Sequence, residues 1–132
     1  MKNLLLLFFL CLSIASFGQN CAKFKDGKFK MVDSETGAYA IERKGDRQIE
    51  YSEINKLEME LDVKWIDECS YTLKVRKILS NPNNISIKRG MTVTVNITEV
   101  KENSYVQKVI SNMFSDVIEN EVFLVEEESS EK

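Results

Sequence analysis

Histidine is absent from all 132 residues. That removes the commonest general base and the commonest metal ligand together, so neither a Ser-His-Asp triad nor a Cys-His pair can be assembled. Proline occurs once, at Pro82, and the five glycines stand singly, with no Gly-rich run of the kind that cradles phosphate. A basic stripe is missing too. Lys and Arg number 18 against 21 Asp and Glu and are scattered, an acidic balance that argues against nucleic acid as a partner. Carboxylates are plentiful, but the obvious set, Glu58, Glu60 and Asp62, alternates along the polar side of an amphipathic run. That placement reads as a solvated face and not as the acid pair of a hydrolase. Glu126-Glu127-Glu128 lacks the spacing and turn glycine of a calcium loop. The sequence therefore predicts no catalytic residue, no cofactor and no metal.

What is present begins with a single long apolar run, Leu4 to Leu12, after Lys2 and Asn3. It suits the core of a signal peptide and is too short for a membrane span. Ser16 and Gly18 supply the small residues that signal peptidase needs three before and one before its cut. Residues 1–18 are thus expected to be removed, leaving a protein that starts at Gln19, periplasmic or extracellular, with no stable membrane anchor. Export takes away one Lys and no acid, leaving 17 basic against 21 acidic residues, a net of −4, in about 114 residues. A chain of that size predicts one domain over 19–125. The acidic stretch 126–132 is expected to be a disordered tail. Cys11 leaves with the signal, so Cys21 and Cys69 remain. An even pair in an oxidising compartment predicts a disulfide; a metal site or redox thiol would call for histidine or C-x-x-C spacing.

Period two dominates the rest of the chain. Leu57, Met59, Leu61, Val63 and Trp65 alternate with Glu58, Glu60, Asp62 and Lys64, and Tyr71, Leu73 and Val75 alternate with Thr72, Lys74 and Arg76. This is the mark of strands with one buried and one solvated face. Matching the apolar faces pairs Trp65 with Tyr71, Val63 with Leu73 and Leu61 with Val75, a hairpin centred on Glu68 with a three-residue loop. Cys69 then sits at its corner, within reach of Cys21. Shorter strands are predicted over 27–32, with Phe29 and Met31 inward, over 38–43, with Tyr39 and Ile41 inward, and over 47–52, with Ile49 and Tyr51 inward. Lys44-Gly45-Asp46 turns the chain between the last two. Met91, Val93, Val95 and Ile97 mark a further strand. Ser104 to Glu119 carries apolar residues at three-and-four spacing, which fits a helix, but it is rich in β-branched residues, and strands are the preferred reading. Seven or eight antiparallel strands with short turns predict an all-β, up-and-down meander curling into a lipocalin-like barrel or half-barrel.

Five aromatic residues fall on the predicted inner face: Phe29, Tyr39, Tyr51, Trp65 and Tyr71. They are candidates either to fill the core or to line a pocket for a small apolar ligand.

The segments Cys21 with Phe24 to Phe29, Ile41 to Arg43, Arg47 to Glu50 and Val63 to Leu73 resemble those of a group of small secreted proteins of Bacteroidetes-type bacteria. The resemblance covers most of the mature chain and brings no catalytic motif. Members of that group often carry the label DNA topoisomerase IV, which does not suit this chain. An acidic, exported chain of this length has no room for an ATPase site, a DNA gate and a basic DNA track. A more distant likeness is to lipocalins, whose first strand carries Gly-x-Trp; Gly27-Lys28-Phe29 has Phe in the aromatic position. The function expected is a non-enzymatic extracytoplasmic barrel binding a small apolar ligand or a partner protein of the envelope. The alternative is a purely structural or interaction role with a filled core.

Overall fold

The computed structural model describes residues 20–125. The predicted signal peptide and the predicted acidic tail lie outside these residues. A short 3-10 turn, Cys21–Phe24, leads into eight strands: Gly27–Asp33 (β1), Gly37–Lys44 (β2), Arg47–Ser52 (β3), Glu58–Asp67 (β4), Ser70–Ser80 (β5), Thr92–Val100 (β6), Ser104–Ser111 (β7) and Ile118–Leu124 (β8). Each pairs antiparallel with the next, and β1 pairs with β8, closing an up-and-down barrel with no free edge. Closure disposes of the unpaired edge that an open meander of this size would expose. The segment with two readings is resolved as strand: 104–111 and 118–124 are β7 and β8, joined by a loop over 112–117. The three-and-four spacing mixes two faces and a loop: Val106 and Ile110 lie on the outer face of β7, Val109 on its inner face, and Met113, Phe114 and Val117 in the loop.

The β4–β5 hairpin has the predicted partners, Leu61 with Val75, Val63 with Leu73 and Trp65 with Tyr71. Its loop is shorter than predicted. Asp67 pairs with Ser70 across a two-residue turn, Glu68-Cys69, and the register shifts between Trp65 and Asp67. Ile66 is the extra residue of a bulge, and one bulge plus a two-residue turn gives the same parity as a three-residue loop.

At the β2–β3 corner no bulge restores parity, and the prediction fails. Lys44-Gly45-Asp46 as a three-residue loop would set Ile49 and Tyr51 on the inner face with Tyr39 and Ile41. Instead Gly45 and Asp46 alone form the turn, Lys44 pairs with Arg47, and Arg43 pairs with Gln48. Gly45 holds φ at +60°, which lets the chain reverse in two residues, and the Asp26 side chain accepts its N–H at 2.8 Å. A slip of one residue turns every side chain of a strand to the opposite face. Gln48, Glu50 and Ser52 therefore point into the barrel, while Ile49 and Tyr51 lie outside.

The eight strands put four connections at each end of the barrel, counting the termini. At one end are the turns 45–46, 68–69 and 101–103 and the 3-10 turn. That end is filled: Phe24, Phe29, Tyr71 and Tyr105 are almost entirely buried, with Phe24 and Tyr105 ring centroids 5.0 Å apart. A disulfide joins Cys21 to Cys69 and ties the 3-10 turn to the β4–β5 corner. The loops 34–36, 53–57, 81–91 and 112–117 surround the other end. Among them, the Asn83 side chain donates to the Asn55 carbonyl at 2.9 Å, linking two of the loops across the rim.

A half-open barrel cavity with a polar floor

Above the filled end the interior is not packed. A cavity of about 650 Å³ occupies the half of the barrel beneath the loops 34–36, 53–57, 81–91 and 112–117. Its wall is mostly apolar and includes Ile41, Leu61, Leu73, Val93 and Val95, with Met31, Met59 and Met91 among the flexible side chains. Unbranched methionines adapt to different occupants more readily than branched residues do.

The five aromatic candidates separate into three groups. Tyr39 and Tyr71 line the cavity. Phe29 and Trp65 belong to the packed end: Phe29 meets Tyr105 edge to face, and Trp65 lies on Tyr71 with ring centroids 4.6 Å apart and the Lys25 ammonium 5.2 Å above it. Tyr51, turned out with β3, borders a shallow outer groove beside Ile49 and Ala40. The carboxylates Glu58, Glu60 and Asp62 do not gather into a site. Arg47 on β3 bonds Asp62 at 2.7 Å and lies 3.5 Å from Glu60, so the acids are balanced on the outside of the sheet. Among the described residues no group of His, Cys, Asp or Glu is placed to hold a metal ion.

Arg43 anchors the floor of the cavity. It is 1 % exposed and lies between two aromatic faces, its guanidinium carbon 4.9 Å from the Phe29 ring and 4.6 Å from the Tyr71 ring. Every hydrogen bond it makes goes to a neutral oxygen. Nε donates to Gln48 Oε1 at 2.9 Å, Nη1 to the Phe24 carbonyl at 2.8 Å, and Nη2 to the Tyr71 and Tyr105 hydroxyls at 2.8 and 3.0 Å. The two phenols are 3.1 Å apart and share a further hydrogen bond. Burial pushes the Tyr71 hydroxyl well above the usual range for tyrosine, so it stays neutral.

One step nearer the mouth on β3 is Glu50, whose cross-strand neighbours are Ile41 and Met59. Its carboxyl borders the cavity and takes part in none of the ion pairs among the described residues. Burial raises its pKa, against a smaller opposing pull from the Gln48 side chain and the Arg43 charge. Around it, β2 offers Arg43, β4 only apolar side chains, and β5 the neutral Tyr71. A carboxyl whose folded pKa is raised stabilises the fold below the ordinary carboxylate range, and that contribution is lost as pH rises through the raised value. Glu50→Gln should therefore be more stable than the wild type at pH 7, and the difference should close toward about pH 4. Urea midpoints at the two pH values test this; an equal difference at both would show that ionisation of Glu50 is not the cause.

Arg43, Gln48, Glu50 and Gln107 were not candidates from the sequence, though period two pointed to two of them. Arg43 is in phase with Tyr39 and Ile41 along β2, and Gln107, hydrogen-bonded to Asn120 at 2.7 Å in the same cavity wall, is in phase with Tyr105 and Val109. Period two alone places both inside. Gln48 and Glu50 follow only once the length of the β2–β3 turn is known. Comparison with protein-family models, with curated proteins and with solved structures found no match for this chain.

Proposed function

We propose that this chain is an exported, non-enzymatic carrier that holds one small apolar molecule inside its barrel. The cavity carries this reading: about 650 Å³, walled mostly by apolar side chains, within the size range of small-molecule sites. A domain stabilised by its core alone gains nothing from leaving such a volume empty, since unfilled space forfeits packing. The disulfide is consistent with life outside the cytoplasm. Among the described residues no helix is long and apolar enough to cross a membrane. The strands are apolar inside and carry Lys30, Glu42, Lys74 and Lys108 outside, the inverse of a transmembrane barrel.

Native mass spectrometry of protein purified from its own host is expected to show an added mass, released on denaturation. As a control, Val93→Phe fills part of the cavity from β6, where some free volume limits the cost of overpacking. It should abolish the added mass and leave the urea midpoint nearly unchanged. An unliganded wild-type protein that also fails to bind apolar probes would overturn the carrier reading in favour of a purely structural role.

A further inference from the structure

The cavity's charged groups are unevenly distributed. Three carboxyl-bearing residues line it, Asp33, Glu35 and Glu50, against a single basic one, Arg43. Arg43 offers little to a ligand. Its guanidinium is sealed beneath the floor at 1 % exposure, with protein oxygens on Nε, Nη1 and Nη2. A molecule entering past the loops reaches Glu50 before Arg43, because Glu50 pairs with Ile41 and Arg43 pairs with Gln48 one step deeper. The carboxyl it meets lies between Ile41 and Met59, is hydrogen-bonded by the Gln48 side chain, and among the described residues has no ion-pair partner. At the rim, Asp33 accepts the N–H groups of Glu35 and Thr36 at 2.8 and 3.0 Å, which hold its carboxyl below the usual range and keep it charged. Among the lining residues the charge thus favours cations over anions, while Lys56, Lys88 and Arg89 stand on the rim loops outside the lining.

From this arrangement we propose that the cavity selects amphiphilic amines, the ammonium paired with the Glu50 carboxylate and the hydrocarbon body along the apolar wall. The proposal rests on the carrier reading above and adds to it the chemical class of the ligand. An ammonium supplies the direct ion pair that Glu50 lacks, since Arg43 acts on it only as a nearby charge, and the Tyr39 ring in the same lining offers a face that attracts a cation. A carboxylate head would instead meet Glu50, Asp33 and Glu35 while the one guanidinium stayed out of reach.

The test is a calorimetric comparison of dodecylamine, dodecanol and dodecanoate at pH 7, below their aggregation limits, with the purified protein. The amine is expected to bind at least about tenfold more tightly than the alcohol, with dodecanoate weakest. Glu50→Gln should bring amine and alcohol to within about twofold of each other. If dodecanol or dodecanoate binds as well as the amine, the charge selection is wrong and the carrier reading stands. If none of the three binds, both fail. The wild-type series decides the matter even where the variant does not fold.

Discussion

Replacing Arg43 with methionine is expected to destabilise the protein by about 3 kcal/mol, although methionine fits an apolar surrounding and carries no charge to desolvate. The sign follows from what the guanidinium leaves behind. Removing it takes the donor from Gln48 Oε1, the Phe24 carbonyl and the Tyr71 and Tyr105 hydroxyls, all in the packed end of the barrel. A buried polar atom without a partner costs about 1–3 kcal/mol. Release from desolvating a buried charge returns several kcal/mol, and the two phenols can still bond each other. The sum remains unfavourable because four acceptors lose their donor and Glu50 loses the cation that steadies its ionised form. Adding Glu50→Gln to the methionine variant should recover part of the loss, since the second change removes the charge that the first leaves uncompensated. Urea denaturation of the two single variants and the double variant measures this coupling. A loss below about 1 kcal/mol for the methionine variant would mean that the floor reorganises around its removal.

Breaking the disulfide is expected to have an effect of similar size by a different route. Cys21 and Cys69 are 48 residues apart in sequence, and closing a loop of that length removes conformational freedom from the unfolded chain worth about 4 kcal/mol. The native state loses an anchor too, because the 3-10 turn is bound to the barrel at Cys21 and at the Phe24 carbonyl. Cys21→Ser with Cys69→Ser should lower Tm by on the order of 10–20 °C. Non-reducing digestion of the wild type should link the two peptides, and finding both thiols free in exported protein would refute the bond. Arg43 and the disulfide hold the same four residues, Cys21–Phe24, so their losses should not add. Once either anchor is gone, the turn frays and the other has less to hold.

Much of this barrel can be read directly from alternation. Leu61, Val63 and Trp65 against Tyr71, Leu73 and Val75 set the hairpin partners without any knowledge of the loop. The run Val93, Val95 and Ile97 marks β6 just as clearly. Strand β3 marks the limit of that method. In Arg47–Ser52 the apolar residues Ile49 and Tyr51 and the polar residues Gln48, Glu50 and Ser52 alternate perfectly, and the apolar face is the outer one. Apolar alternation identifies a strand but assumes that the apolar face is buried. Here the assumption is overridden by a two-residue turn at Gly45-Asp46, fixed on both sides by pairing that continues into β2 and β4.

The amino-acid sequence by itself determined the all-β class, the disulfide partners and the inward phase of most strands. These depend on period-two patterning and on the count of cysteines, both of which are local or nearly so. Only the tertiary structure decided that the barrel closes, that one end is filled while the other encloses a cavity, and that Arg43, Gln48 and Glu50 form its floor. The physical reason is parity and volume. One residue more or less in a turn inverts a strand, and the space left between inner faces depends on eight strands meeting at once, which no single segment specifies.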